Sequence, residues 1–576
     1  MRIRTVSSKN TLHYAIIKDI SRNGKRTTKV VENLGTIEKI KERSGQQDPL
    51  EWLEEYLLQL NEDESQGKLP VNLQLAPNLL IKSNTQRYAE GGYLFLEKIF
   101  YQLGLHTICQ TISKRYKFNY NLTEILSRLV FSRILSPGSK LKNVQHFKSY
   151  LEPLSIDYHD VLRALEVLAK ENDFIQSQLY KNSLKHRTRN DGVLFYDCTN
   201  YFFYINEEDD LRRFGINKQH QPRPQVQMGL FLDGDGLPLA FSIFPGNESE
   251  QTSLKPLEQK IINDFNHSKF VVCTDAGLAS SANRRFNDTP TRRFITTQSI
   301  KKLKTYLKEW SLDLENGWRL PHQSQQYNLS QLRTNPTLIE TYYDKTFYKE
   351  RWINENGIEQ RLIITYSVRY QEYQKRVREN QCQRAMKLIK SNPKKIGKPR
   401  QNDFKRFIKE TSITEQGEVA NQNCYLLDQQ AIETEARFDG IYGICTNLED
   451  DIEEIIKINK GRWEIEESFM ILKSEFEAQP IHLSREDRIK AHFMTCFISL
   501  FIFRVLEKEL DTQASFYEIL ETLQQFNFLH IPDEGYIPTF TRTKLTDELH
   551  GFLKHRLDTE IVTYKKFKEI SKKIKK

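Results

Sequence analysis

Two short apolar runs that each deliver an aspartate constrain this chain more than any other feature of it. Val193-Leu194-Phe195-Tyr196 ends at Asp197, and Phe270-Val271-Val272-Cys273 ends, through Thr274, at Asp275. Runs of this length and composition read as buried strands. Strand-like patterns continue between them in VQMGLFL and LPLAFSIF, joined by the turn signal Asp233-Gly234-Asp235-Gly236. A helical pattern with Ala282, Asn283 and Phe286 follows the second run. Strands alternating with helices point to an α/β core. An aspartate closing one strand is often a structural cap. Two of them, each at the last position of a strand in one core, stand where open α/β sheets build ligand sites. Their hard oxygens suit magnesium or manganese.

The chain has 576 residues, more than one hydrophobic core usually holds, so several domains are expected. Hydrophobic residues at 38% and charged ones at 28%, with 33 Phe and 26 Tyr, exclude a globally disordered protein. Basic residues outnumber acidic ones by nine, an excess that matters for a polyanionic partner only where it is clustered. The seven cysteines form no close pair, which argues against a disulfide framework or a CxxC zinc site and fits a reducing, cytoplasmic location. No signal-peptide pattern opens the chain. Its most apolar run, Phe493 to Phe503, lies between Lys490 and Arg504 and is shorter than the ~20 residues of a membrane helix, so a buried helix and no membrane partner are expected. There is no P-loop and no Rossmann fingerprint, so no nucleotide cofactor is expected.

Residues 1–45 alternate around Asn23-Gly24 and predict a β-hairpin element. Residues 46–190 turn helical, with Leu122, Ile125, Leu126, Leu129, Val130 and Ile134 on one face and a stop at Ser136-Pro137-Gly138. Lys114, Arg115, Lys117, Arg128, Arg133, Lys140 and Lys142 belong there, either on solvated faces of a bundle or as a DNA-docking surface. Residues 191–299 hold the first part of the core. Residues 300–435 are rich in charge and tyrosine, lack one clean period and carry Trp310, Trp318 and Trp352, as an inserted subdomain would. Core packing is the default for these tryptophans, and stacking on an unpaired base the alternative. From Arg384 to Lys409, including NPKKIGKPR, ten basic residues face one acid, Asp403: a solvated segment or a phosphate-contacting arm. Residues 436–510 return to the core. Residues 511–576 read as helical, closing on a basic tail, KKFKEISKKIKK, of the kind that frays.

GRWEIEESFMILKSEF sets Ile465, Phe469, Leu472 and Phe476 on one stripe of a helix. One residue round lie Arg462, Glu466, Met470 and Lys473, and spacing alone explains them as an exposed ion-pair ladder. They also match the R-x3-E-x6-K part of the Y-x2-R-x3-E-x6-K signature of bacterial insertion-sequence DDE transposases, the insertion-sequence-four-like group. YDCTNYFF around Asp197, GLPLAFSIFPGNESEQTSL, and CTDAGLASSANRRF around Asp275 resemble that family's first and second catalytic regions, in order. FDGIYGICTNL, residues 438–448, is similar to the strand that re-enters its core. One departure is plain: the signature's tyrosine falls on Asn459.

The resemblance implies an α/β, ribonuclease-H-like catalytic core interrupted by the insertion, with Asp197, Asp275 and Glu466 catalytic and jointly holding two Mg2+ (or Mn2+) ions. Arg462 and Lys473 would contact DNA phosphates. The implied reaction is cleavage at transposon ends followed by strand transfer. The implied partners are double-stranded DNA (terminal inverted repeats and target) and a second copy of the chain on paired ends. Asn247, Glu248 and Asn283 match family positions but are read as shaping the core; His220, His482 and His492 are read as structural or DNA-facing. Asn459 and the basic arms motivate a second reading, a DNA-binding repressor without catalysis. A third is a structure-selective nuclease.

Overall fold

The computed structural model of the chain describes all residues except 9–10, 23–24, 66–77, 79, 82, 84, 217–220, 392–402, 414–418 and 511–512, together with the side chains of 20–22, 25–26, 65, 411–413 and 419–424. The Asn23-Gly24 turn, His220 and the NPKKIGKPR segment lie outside the described residues. The chain forms two compact units. Leu103–Lys140 and Asp157–Val505 make the larger; Met1–Gln102, Leu141–Ile156 and Leu506–Lys576 make the smaller.

The larger unit is mixed α/β around an eight-stranded sheet: β1 (Val193–Phe202), β2 (Gln225–Asp233), β3 (Pro238–Pro245), β4 (Phe270–Thr274), β5 (Arg292–Gln298), β6 (Thr346–Glu355), β7 (Ile358–Ser367) and β8 (Ile441–Thr446). Their order is β6-β7-β8-β5-β4-β1-β2-β3. Only β1, β4 and β5 pair in parallel. β1, β2 and β3 form an antiparallel meander whose turn is held by Asp233: Oδ1 accepts from the Asp235 and Leu237 amides, and Oδ2 from a buried Arg189. A parallel partner for β1 requires a crossover, supplied by α1 (Glu250–Phe265). Strand periodicity then sorts the side chains of β1. Leu194, Tyr196 and Cys198 pack with Leu254, Leu257 and Ile261 of α1 and with Phe270 and Val272 of β4. Phe195, Asp197, Thr199 and Tyr201 therefore face the other side.

Part of the insertion is not a separate body. β6 and β7 join the main sheet through β8, and Trp318, Leu329, Phe347, Leu362, Ile364 and Tyr366 form one core there. The long helix α2 (Val368–Ser391) follows β7 directly. The second face of the sheet is covered by α3 (Ile452–Gly461), α4 (Trp463–Met470), a π-helical turn (Ile471–Glu475) and α5 (Glu486–Glu509). Helix α5 contains the Phe493–Phe503 run. It is long and apolar enough to cross a membrane, and 94% of its apolar window is buried inside the protein. The basic residues of 46–190 divide: Arg128, Arg133 and Lys140 are buried, so these three fit neither alternative, a solvated face of a bundle or a DNA-docking surface.

In the smaller unit the N-terminal element is a three-stranded antiparallel sheet, one strand more than the expected hairpin: Arg2–Ser8, Thr11–Arg22 and Lys25–Thr36. Ile16 and Leu34 pack with Ile40 and Leu53 of the following helices. The C-terminal region is not wholly helical. Asn527–Ile531, Gly535–Pro538 and Val562–Thr563 build a four-stranded sheet with Tyr88–Glu90. The last twelve residues do not fray either, because the helix Tyr564–Ile574 buries Phe567, Ile570 and Ile574 while its lysines take the opposite side.

Candidate active site

Asp197 is the fifth residue of β1, not its last. β2 goes on pairing with β1 as far as Phe202, whereas β4 stops at Thr274, immediately before Asp275. In the parallel ladder Phe195 is the partner of Cys273, and each aspartate lies two residues further along its strand. With a period of two, Asp197 shares its side of the sheet with Phe195, and Asp275 is carried forward from Cys273 by the same step; adjacent strands lie ~4.8 Å apart. Asp197 is buried and Asp275 half-buried. Asp275 Oδ1 accepts from the amides of Gly277 (2.9 Å) and Leu278 (3.1 Å), which fixes the loop that leaves β4. Asn283 ties that loop down, donating from Nδ2 to the carbonyls of Leu278 and Gln251. Asn283 thus shapes the core, as its sequence position suggested.

Glu466 arrives on α4, which is pinned against the same face. A Cβ on Gly461 would stand 2.8 Å from Phe195 Cζ, so only glycine lets the end of α3 approach β1 this closely. At the β2–β3 turn, Gly236 has φ +76° and leaves room for the Glu464 carboxylate. Ile465 and Phe469 are buried beneath α4, while the Glu466 side chain is 58% exposed and paired with Arg462 (Nη1 to Oε1, 3.0 Å). Burial works against the charge of Arg462, but Tyr442, Glu466 and Asp197 outweigh it and hold its pKa above the ordinary value. One guanidinium therefore senses both Asp197 and Glu466. Burial pushes the Cys273 thiol up to about 12 against the lowering pull of the same guanidinium. The three carboxylates are not gathered: among the described residues, the His/Cys/Asp/Glu triplets whose ligand atoms all lie within 4.8 Å of one another are His322–Asp451–Glu453 and Asp547–His550–Asp558.

Lys473 lies in the π-helical turn. Its Nζ donates to Thr199 Oγ1 at 2.5 Å and stands 5.2 Å over the Tyr201 ring, so the cation is seated on β1 two residues beyond Asp197. Asn459, at the signature's tyrosine position, is 8% exposed, and its Oδ1 has no hydrogen-bond partner among the described residues. His492 is buried with Nε2 2.9 Å from the Ala478 carbonyl, a structural role. Of the three tryptophans singled out from sequence, Trp318 is fully buried, Trp310 packs against the same core and Trp352 is 46% exposed.

Two features escaped the sequence reading. Buried Arg133 donates to the carbonyls of Phe476 and Glu477, each at 3.0 Å, and so satisfies the end of the segment that carries Glu466 and Lys473. Trp463 (55% exposed) and Met470 (43%) flank Glu466 at helical spacing. Trp463 stood in the quoted motif, and only its exposure gives it meaning.

No protein-family model matches the chain, and no curated protein does. Among solved structures, the cryo-EM structure of a piggyBac transposase synaptic complex with hairpin DNA aligns with 83% of this chain and 84% of that one, at 10% identity and a TM-score of 0.36. At that score the likeness is coarse.

Proposed function

We propose that the chain is a DNA transposase that cuts at the ends of its element and joins the freed 3′-hydroxyl to target DNA. The observation that carries this reading is Asp197 on β1 and Asp275 just past the end of the adjacent parallel strand β4, each two residues beyond the paired Phe195 and Cys273, with Arg462, the ion-pair partner of Glu466, held charged in part by Asp197. The strand order β3-β2-β1-β4-β5, with β2 alone antiparallel to its neighbours on both sides, supports a ribonuclease-H-like core.

The donor chemistry fits a divalent ion. Asp197 and Asp275 offer only hard oxygens, and Glu466, the most exposed of the three carboxylates, is reachable from solvent. Asp197, Asp275 and Glu466 would hold two Mg2+ or Mn2+ ions, which when bound supply Lewis-acid stabilisation of the attacking and leaving oxygens. Arg462 and Lys473 orient and neutralise phosphates near Asp197. Tyr201 and Thr199 keep Lys473 in place. No side chain of this set is required to transfer a proton.

The test uses a supercoiled plasmid carrying the DNA that flanks the coding region, incubated with protein and Mg2+. Cleavage and strand transfer are expected. Asp197→Ala, Asp275→Ala and Glu466→Gln should each abolish both while DNA binding persists, and cleavage surviving any one of them overturns the reading. The Glu466–Arg462 ion pair favours a second reading, a DNA-binding protein without catalysis. Magnesium-dependent nicking excludes it. Cutting without joining would instead identify a nuclease.

A further inference from the structure

Helix α2 treats its two sides differently. On one side the polar groups are spoken for: Gln371 accepts from the Tyr366 hydroxyl, Gln374 from the Gly440 amide (2.7 Å) and Gln381 from Arg406 (2.8 Å), while Arg378 donates to Asp439 (2.6 Å) and Ala385 is buried. At ~100° per residue these five positions fall within about a quarter of the helix circumference. Opposite them run Arg369, Arg376, Asn380, Gln383, Lys387 and Lys390, every one exposed. Their intervals alternate between about three and four residues after an initial step of two turns, so they form one straight stripe. None has a hydrogen-bond or ion-pair partner among the described residues. Glu372 and Glu379 border the stripe on a single side and are the helix's only acids.

Cations on a solvated helix are usually answered by acids three or four residues away; Arg369 and Arg376 have Glu372 or Glu379 at that spacing, whereas Lys387 and Lys390 have none. Here four cations flank two central carboxamides over ~30 Å, the rise of about nine base pairs. Evenly spaced phosphates complement the cations. Asn and Gln are the side chains that bond adenine edges bidentately, and an α-helix fits the major groove. We propose that α2 is a DNA-reading helix: Arg369, Arg376, Lys387 and Lys390 contact backbone phosphates, and Asn380 and Gln383 read base edges in the major groove. The inference rests on the transposase reading for the choice of DNA and is independent of catalysis.

The experiment measures binding of the full chain, without Mg2+, to a labelled random-sequence DNA duplex across a salt series. Removing two phosphate contacts in Arg376→Gln/Lys387→Gln should lower the slope of log affinity against log salt by about 1.8 and weaken binding about tenfold or more. Lys375→Gln, an exposed cation of the same helix off the stripe, should leave the slope unchanged. Asn380→Ala/Gln383→Ala should keep the slope but flatten base preference in selection from randomised duplexes. All six side chains are exposed, so thermal melts of the variants should match the parent. An unchanged slope in the double-cation variant, an equal loss from Lys375→Gln, unchanged base preference in the carboxamide variant, or tighter binding to duplex RNA overturns the proposal. Stripe-dependent binding by a chain that never cleaves DNA would sink the transposase reading and leave this one standing.

Discussion

Glu258 illustrates how far a single buried group can set a pH profile. It lies in α1 with no exposed surface, and Asn287 Nδ2 donates to both of its oxygens at 2.9 and 3.0 Å. Burial raises its pKa from 4.5 to about 8, despite Asn287 and Arg292, which lower it. The folded state therefore holds this proton more tightly than the unfolded chain does. The stability that follows is fully present below pH ~4.5 and drains away as pH rises towards 8, by at most ~1.4 kcal/mol per pH unit. Glu258→Gln, which is always neutral, should abolish that slope and be the more stable protein at pH 9 in denaturant titrations; parallel pH profiles of variant and parent would refute the assignment. Among the candidate site residues, the placing of both aspartates at one edge of the core was legible because each follows an apolar run, although Asp197 lies within its strand and not at its end. Glu466 was not, since its spacing to Arg462 is that of any surface pair, and in the structure it does make that pair.

At the scale of elements, what the segment carrying Glu466 rests on is a buried cationic patch. Arg133 satisfies its terminal carbonyls, and Lys140 lies beside Arg133, His492 and Cys496 with its Nζ buried and without a hydrogen-bond partner among the described residues. Burial first, and then Arg133, push the Lys140 pKa down to about 7. Because this folded value lies below the unfolded 10.5, its stability contribution is greatest above pH ~10.5 and is lost as pH falls towards 7. Lys140→Met should thus stabilise the protein at pH 7, by ~1–3 kcal/mol, with the gain shrinking at high pH; a destabilised variant would mean that the ammonium is held by a real partner. Nothing in LSPGSKL signals this burial, because a lysine after a turn ordinarily faces water. Elements read well from the chain where periodicity is local, as in α5 and the helix Leu122–Leu135. They read poorly where pairing is distant. β6 and β7 join the main sheet only because β8, some 75 residues later, lies between them and β5.

The chain packs into two compact units, and each is assembled from separated stretches of chain. The smaller unit draws together the N-terminus, a short middle segment and the C-terminus, a connectivity that no composition shift along the sequence marks. Its aromatic core centres on Phe526, fully buried and stacked 3.8 Å from Phe540. The larger unit has the clusters around β1 and around Trp318. Two such units should not melt as one cooperative unit, so calorimetry is expected to give a van't Hoff enthalpy below the calorimetric one. The components can be assigned chemically. Phe526→Ala, at a cost of ~3–5 kcal/mol, should lower only the component belonging to the smaller unit. Mg2+ at a hundredfold excess over its dissociation constant should raise only the component holding Asp197 and Asp275, by ~2.7 kcal/mol, because it binds the folded site and not the open chain. Asp275→Ala should erase that shift and leave the Phe526 effect intact. A single transition moved equally by both perturbations would show that the two units unfold together, and a Mg2+ shift that survives Asp275→Ala would remove the metal from this site.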